Sequence, residues 1–158
     1  DGVSQIGTTD IVVLNKGEIR PALFPEERIE YSERQDDFVL GIMLQTAEYV
    51  FERDPSAWVV LDGRTFSKQY QRELVAEAVR RMKQPLRVVE VTALPEIAKS
   101  RLAADTLSGA HPARNRDEAL YERVRAHFEP VSEPKIVIDT STDSAGRLAE
   151  ELRRRLDC

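Results

Sequence analysis

An aspartate at the end of an apolar run is the residue of this sequence best placed to do chemistry. Residues 57–61 are apolar, and Asp62 and Gly63 follow them directly. Such a run predicts a buried parallel strand, which carries its acid to the sheet edge where α/β folds bind ligands. A carboxylate there holds Mg²⁺ through water or orients an acceptor hydroxyl beside a phosphate. The alternative is that Asp62 only caps the turn through Gly63.

Two further polar side chains follow Asp62 at once and fit the same chemistry. Arg64 offers a guanidinium group and Thr65 a hydroxyl, and both groups bind phosphate oxygens. We therefore predict that Arg64 and Thr65 contact the substrate, while Asp62 is the catalytic and metal-binding acid.

A second polar segment follows the first apolar run, residues 11–14. Lys16 and Arg20 are predicted to grip an anionic substrate, and Glu18 to accept a proton from its hydroxyl. Because ligands bind at the carboxyl ends of parallel strands, this segment is expected over the binding edge of the sheet. A solvated turn that enters a helix explains the same residues equally well.

Polar side chains also open a long predicted helix that begins near Ser32 and stops before residues 54–55. Gln35 and Asp37 lie in its first turns, and we predict that they face substrate. The alternative is a helix cap, in which acids near the N-terminus favour the helix dipole.

Three arginines belong to, or lead into, a basic loop at about 108–117. Arg114 and Arg116 lie within the loop, and Arg101 precedes it on a predicted helix. Phosphoryl transfer needs positive groups on the migrating phosphate, and mobile basic lids supply them. The segment is thus predicted to be a lid, with an ordinary charged surface loop as the alternative.

Four apolar runs alternate with helical patterns of about 10–20 residues, which predicts βαβ crossovers and one parallel sheet within an α/β fold. These strands are too apolar to leave a sheet face exposed. A three-layer sandwich usually has five or more strands, so the chain is expected to begin after the first strand of its fold. The predicted strands are residues 11–14, 57–62, 86–94 and 134–140.

Length and composition predict one globular domain over residues 1–158. Hydrophobic residues make up 41% and charged residues 32%, which is typical of a soluble protein. The net charge of −5 makes nucleic acid an unlikely partner, and no run is long enough to span a membrane. Cys158 is the single cysteine, so we expect a reducing, cytoplasmic location without disulfides. Two histidines and one cysteine argue against a zinc site.

Together these segments resemble the P-loop kinase family that includes polynucleotide kinase 5′-domains, zeta toxins and adenylylsulfate kinases. The resemblance is closest to the small bacterial predicted kinases and covers the chain from about Ile11 to Leu156. It implies a three-layer P-loop sandwich that binds ATP and Mg²⁺ and transfers the γ-phosphoryl to a hydroxyl of a small molecule or nucleotide. The segments that carry it are NKGEIRPALF (15–24), YSERQDDFV (31–39), VVLDGRTFS (59–67), HPARNRDEALY (111–121), FEP (128–130) and PKIVIDTS (134–141).

The resemblance also implies roles for individual residues. Asp62 corresponds to the acid of the second strand motif, and Arg20 to the arginine of the D-x-x-R substrate motif. The lid arginines of the family correspond to Arg101, Arg114 and Arg116. The residues that approach the adenine correspond to Asp139 and Thr140.

Two departures bear on activity. No G-x-x-x-x-G-K-[ST] phosphate loop occurs in the sequence, and the stretch 2–10 does not replace it. Gly17 stands where the D-x-x-R motif usually has its acid. Three explanations stay open: an N-terminal part has been removed, the fold survives as a non-catalytic nucleotide- or partner-binding module, or the sequence omits residues of the molecule. An unrelated α/β domain, such as a flavodoxin-like regulator, is a third functional alternative to the kinase and the binding module.

Overall fold

The structure is a computed structural model that describes residues 11–108 and 118–156, without the side chains of residues 105–108. Within these ranges strands and helices largely alternate, as expected of an α/β chain. The elements are β1 (Ile11–Asn15), α1 (Lys16–Leu23), a 3-10 turn (Glu26–Arg28), α2 (Glu33–Arg53), β2 (Trp58–Asp62), α3 (Gln69–Arg81), β3 (Val88–Thr92), α4 (Pro95–Ser108), α5 (Glu118–Ala126), β4 (Lys135–Asp139) and α6 (Ala145–Leu156).

The described strands form two parallel pairs, which confirms the prediction of parallel strands in a mixed α/β chain. β1 pairs with β2, and their last residues, Asn15 and Asp62, stand side by side in the register. β3 pairs with β4, with Thr92 beside Asp139. Each sheet has two strands within the described ranges, so the three-layer sandwich stays a prediction.

The chain divides into two compact units. The first unit holds the described residues up to Phe66 together with Tyr70–Gln84, and therefore contains β1, α1, α2 and β2. The second unit holds Ser67–Gln69 and the described residues from Pro85 onward. A single domain over residues 1–158 stays a prediction.

Helix α2 forms the core of the first unit against the β1–β2 pair. Its start at Ser32 is confirmed, because the Ser32 hydroxyl accepts the N–H of Gln35 at 3.2 Å. Apolar residues four apart put one face of the helix into the core, since side chains at this spacing lie above one another. The buried core cluster consists of Leu14, Val39, Met43 and Ala47.

Two expectations differ from the structure in the first unit. A solvated turn that enters a helix was one interpretation of the residues after β1, but no turn intervenes. Helix α1 begins directly at Lys16, where Asn15 Oδ1 caps it by accepting the N–H of Gly17 at 2.7 Å, and it contains Pro21. Strand faces were expected to be covered on both sides, yet Val13 and Val60 are 59% and 41% exposed.

In the second unit, α4, α5 and α6 accompany the β3–β4 pair. Lys135 of β4 forms an ion pair with Glu90 of β3 at 2.8 Å, and Ile138 is buried. Among the helices that the structure describes, none has both the length and the apolar composition needed to cross a membrane.

Candidate functional site

The carboxyl ends of β1 and β2 carry a hydrogen-bonded pair of side chains. Asn15 Nδ2 donates to Asp62 Oδ2 at 2.9 Å, while Asn15 Oδ1 caps α1 through Gly17. Asp62 is exposed, and within the described residues its Oδ1 has no hydrogen-bond partner. Asn15 therefore fixes the carboxylate beside the N-terminus of α1 and leaves one oxygen open to solvent.

Gly63 brings the chain close to the first turn of α1. Its φ of +83° lies in the left-handed region that favours glycine. A Cβ at this position would lie 3.1 Å from the backbone N of Lys16 and 3.2 Å from that of Gly17. The turn after Asp62 thus depends on glycine for both its conformation and its close approach.

Helix α1 presents two cations to one carboxylate of α2. Lys16 and Arg20 are four residues apart, which places them on one face of the helix. Lys16 Nζ lies 2.8 Å from Asp36 Oδ2, and Arg20 forms an ion pair with Asp36 Oδ1. The side chains of Lys16 and Arg20 are only 12% and 9% exposed. Tyr31 lies against the Arg20 guanidinium, 5.3 Å from Cζ to the ring centroid.

A second ion pair adjoins the first. Arg64 Nη2 lies 2.6 Å from Asp37 Oδ1, and the Tyr70 hydroxyl donates to Asp37 Oδ2 at 3.4 Å. Burial lowers the pKa of Arg20, Tyr31 raises it and the positive charge of Arg64 lowers it. Arg20 and Arg64 thus pair with neighbouring residues of α2, Asp36 and Asp37.

The five charged side chains of these ion pairs, three cations and two carboxylates, are called the cationic cluster. Two of its nitrogen atoms, Arg20 Nε and Arg64 Nη1, are buried without a hydrogen-bond partner in the part of the chain that the structure describes. The arrangement suits recognition of an anionic group, because guanidinium nitrogens bind phosphate and carboxylate oxygens. Its members are Lys16, Arg20, Asp36, Asp37 and Arg64.

The structure thus brings together the predicted residues Lys16, Arg20, Asp37 and Arg64. Sequence reasoning missed the role of Asp36. Its position next to Asp37, in the segment that carries the resemblance, was the available signal. The sequence could not predict which cations pair with Asp36, because the pairing depends on how α1 and α2 pack.

Other predicted site residues of the first unit lie apart from these ion pairs or have another task. Gln35 donates through Nε2 to the carbonyl of Arg28 and accepts the N–H of Glu30 through Oε1, both at 2.9 Å. Its side-chain amide therefore holds the chain that enters α2. Glu18, in the first turn of α1, and Thr65, which follows Arg64, are both exposed.

The predicted nucleotide-binding residues meet at the ends of β3 and β4. Arg101 of α4 donates to Thr140 Oγ1 at 2.8 Å and to its carbonyl oxygen at 2.6 Å. Thr140 Oγ1 in turn donates to the carbonyl of Thr92 at 2.9 Å. Arg101 therefore ties α4 to the carboxyl end of the β3–β4 pair. The two remaining predicted arginines, Arg114 and Arg116, lie outside the described residues, as does most of the predicted lid.

Asp139 is held in its ionised form by Ser141. The Ser141 side chain and backbone N–H both donate to this carboxylate and lower the pKa of Asp139. The Ser141 hydroxyl also accepts the N–H of Leu94 at 2.7 Å, which links the start of α4 to the end of β4.

A pH dependence follows from the lowered pKa of Asp139. A folded-state pKa below the unfolded value stabilises the fold above the unfolded pKa, and this contribution is lost as pH falls through the folded pKa. In a Ser141→Ala variant, the pKa of Asp139 is expected to rise toward its ordinary value, as measured by NMR titration of the carboxyl carbon. Thr142→Ala is the control, and an unchanged pKa in Ser141→Ala would contradict the prediction.

A magnesium ion at the Asp62 edge stays a prediction. No group of three or more metal-binding side chains occurs among the residues that the structure describes. Mg²⁺ does not require such a group, because it keeps several waters and takes one or two carboxylates together with substrate phosphates. The open Oδ1 of Asp62 supplies one carboxylate oxygen of that type.

Comparison with known proteins supports a fold relation and nothing finer. Neither a protein-family model nor a curated protein matches this sequence. The solved structure of a tunicamycin resistance protein from Deinococcus radiodurans is similar to it, with a TM-score of 0.57. The identity is 14%, over 93% of this chain and 82% of that one. That neighbour has a P-loop-kinase-like fold, and at such low identity the likeness concerns the fold alone.

Proposed function

We propose that this protein is an ATP-dependent phosphotransferase that transfers the γ-phosphoryl group to a hydroxyl of a small molecule or nucleotide. The observation that carries the proposal is the convergence of the cationic cluster and Asp62 on the carboxyl ends of β1 and β2. The kinase-like fold of the structural neighbour supports it.

The acceptor is proposed to bind at the carboxyl ends of β1 and β2. Lys16, Arg20 and Arg64 bind it, with Asp36 and Asp37 keeping the cations in place. The open oxygen of Asp62 orients the acceptor hydroxyl or holds Mg²⁺, and Glu18 accepts the hydroxyl proton. Mg²⁺, when bound, neutralises charge that develops on the transferred group.

The proposed nucleotide contacts are Asp139 and Thr140. Asp139 and Thr140 lie at the carboxyl end of β4, where parallel strands present ligand-binding residues. Arg101 holds Thr140 from α4 and thereby positions it. Arg114 and Arg116 are proposed to close on the phosphates, as lid arginines do in the kinases that this sequence resembles.

The proposal is tested by ADP formation that depends on an acceptor. A panel of hydroxyl compounds is offered with Mg-ATP, and the Asp62→Asn variant is expected to be at least about 100-fold slower than the parent chain, since a removed transition-state contact costs that much. Glu48→Gln removes an exposed acid of the same unit and serves as the matched control. Equal rates in the Asp62→Asn variant and the parent chain would contradict the role of Asp62.

Gly17 favours a second candidate, a nucleotide- or partner-binding module without catalysis. A Cβ at position 17 would lie 3.0 Å from Asn15 Oδ1, the atom that caps α1. An acidic side chain at position 17 would crowd this atom. The local structure therefore suits Gly17, the residue that departs from the kinase motif. This candidate predicts that Mg-ATP binds without ADP formation. If a chain with a phosphate loop fused ahead of residue 1 forms ADP, the result favours the phosphotransferase over the binding module.

A further inference from the structure

We infer that Arg72 is a positioning residue for the segment that follows Asp62, and that it fixes Arg64 and Thr65 in the geometry in which they meet the acceptor. The role of Arg64 and Thr65 toward an acceptor rests on the proposed phosphotransferase. The hold of Arg72 on the segment does not, and the two are tested by separate measurements.

Two residues with left-handed backbone bracket Arg64 and Thr65. Gly63 has a φ of +83° and Phe66 has a φ of +46°. Glycine adopts such angles readily, but a bulky aromatic residue rarely does, because its Cβ comes too close to the following carbonyl oxygen. Phe66 is therefore strained, and its conformation depends on an interaction that holds it.

Arg72 supplies that interaction from α3. Its Nη1 donates to the carbonyl oxygen of Phe66 at 2.9 Å, and the residue is only 8% exposed. A hydrogen bond from a guanidinium group is stronger than a neutral one, and the low dielectric of a buried position strengthens it further. Gly63, Phe66 and Arg72 all belong to the first unit. A buried arginine thus stabilises the strained end of the segment.

The segment 63–66 is also held near α1 and α2. A Cβ at Gly63 would lie 3.1 Å from the backbone N of Lys16, so the chain passes close to the start of α1. Arg64 Nη2 lies 2.6 Å from Asp37 Oδ1 of α2. Contacts with α1, α2 and α3 therefore fix the segment, and Thr65 is its one exposed residue.

The strain at Phe66 favours a role in binding over a role in folding alone. A connection that only joined β2 to α3 could carry glycine or asparagine at position 66, since both adopt positive φ more readily. Strained backbone is found preferentially at sites that bind or react with ligands. Contact residues that are already in place also lose less freedom when a ligand binds. Arg72 therefore acts on Arg64 and Thr65 through Phe66.

The test is an NMR comparison of the full chain with its Arg72→Gln variant. The Cα and Cβ chemical shifts of Phe66 report its backbone angles, and the Nε–H signal of Arg64 reports the surroundings of its guanidinium group. In Arg72→Gln, Phe66 is expected to lose its left-handed shifts, and the signals of Arg64 and Thr65 are expected to move with it. Arg80→Gln removes an exposed arginine of the same helix and is expected to leave these signals unchanged.

A second background separates positioning from a purely structural role. Phe66→Gly removes the cost of positive φ, so Arg72→Gln is expected to move the Arg64 and Thr65 signals less in this background than in the parent chain. Circular dichroism establishes that each variant is folded. An Arg72→Gln chain that folds only together with Phe66→Gly supports the inference.

Three results would overturn the inference. The first is unmoved Arg64 and Thr65 signals in a folded Arg72→Gln variant. The second is an equal movement of these signals in the parent and Phe66→Gly backgrounds. The third is an Arg72→Gln chain that unfolds in both backgrounds, which would assign Arg72 to the fold alone.

The link to the acceptor is tested by ADP formation with the acceptor that the panel of hydroxyl compounds identifies. Arg72→Gln is expected to raise the KM for this acceptor about 10-fold, as the loss of one charged hydrogen bond would, and to leave the KM for Mg-ATP at the parent value. A lower kcat with both KM values unchanged would overturn the link. A chain that forms no ADP with any compound rejects the phosphotransferase, while the NMR signals still decide the role of Arg72.

Discussion

Replacement of Asp36 by asparagine is expected to lower the free energy of unfolding by about 3 kcal/mol, because it removes the ion pairs of this carboxylate with the buried Arg20 and the half-buried Lys16. Lys16 and Arg20 both pair with Asp36, and their side chains are 12% and 9% exposed. An asparagine keeps the shape of the side chain but not its charge. The expected loss lies at the low end of the range for buried ion pairs because Asp36 itself is 25% exposed.

Chemical denaturation measures this effect, with Glu48→Gln as the control. Glu48 lies on the same helix and is exposed, so its loss is expected to change the free energy of unfolding by less than about 0.5 kcal/mol. Adding Arg20→Met to Asp36→Asn is expected to recover part of the loss, since it removes one uncompensated charge. An Asp36→Asn variant as stable as the parent chain would show that the ion pairs do not support the fold.

Gly63→Ala is expected to lower the free energy of unfolding by about 2–3 kcal/mol. The φ of +83° costs a residue with a Cβ about 1–2 kcal/mol by itself. The added methyl group would also lie 3.1 Å from the backbone N of Lys16, and a backbone atom cannot rotate away. Relief of this contact would move the end of β2 away from α1, so the position of Asp62 should change together with stability.

Gly41→Ala provides the matched control for this prediction. Gly41 lies inside α2, and no atom comes within 4 Å of a Cβ placed there. The same substitution is therefore expected to raise the free energy of unfolding by about 0.5–1 kcal/mol, because alanine is favoured over glycine in helices. Thermal or chemical denaturation of both variants checks the opposite signs. A loss of similar size at both positions would contradict the account of Gly63.

The elements that could be predicted from the sequence are those with local causes. Helix α2 is an example, because Ser32 caps it within three residues and its apolar spacing lies along one segment. The strand that ends at Asp62 is another, since its apolar run and its acid are adjacent. The number of strands in a sheet depends on long-range pairing instead, which is why the three-layer sandwich remains a prediction.

Features with distant causes could not be predicted. The start of α3 is one example, because α3 begins at Gln69, whose N–H donates to Glu129 at 2.6 Å. Sixty residues separate this donor from its acceptor. Likewise, Gln35 has the residue type of a substrate contact, yet it binds the backbone of the loop before α2. In both cases the partner is set by packing and not by sequence neighbourhood.

The candidate site also combines features with local causes and features with distant causes. The position of Lys16, Arg20 and Arg64 after strand ends was predictable, because parallel strands present ligands there, and their binding of an anion stays a prediction. The sharing of Asp36 by Lys16 and Arg20 was not predictable, because α1 and α2 must first pack together. Because the side chains of these cations have little exposed area, they form an enclosed cluster and not a solvated surface.

The most direct measurement of the central claim is a calorimetric titration of this chain with Mg-ATP, after an intact mass confirms its length. The phosphotransferase account predicts one site of micromolar affinity that weakens when Mg²⁺ is chelated. A folded chain of the expected mass that takes up no Mg-ATP would contradict the account.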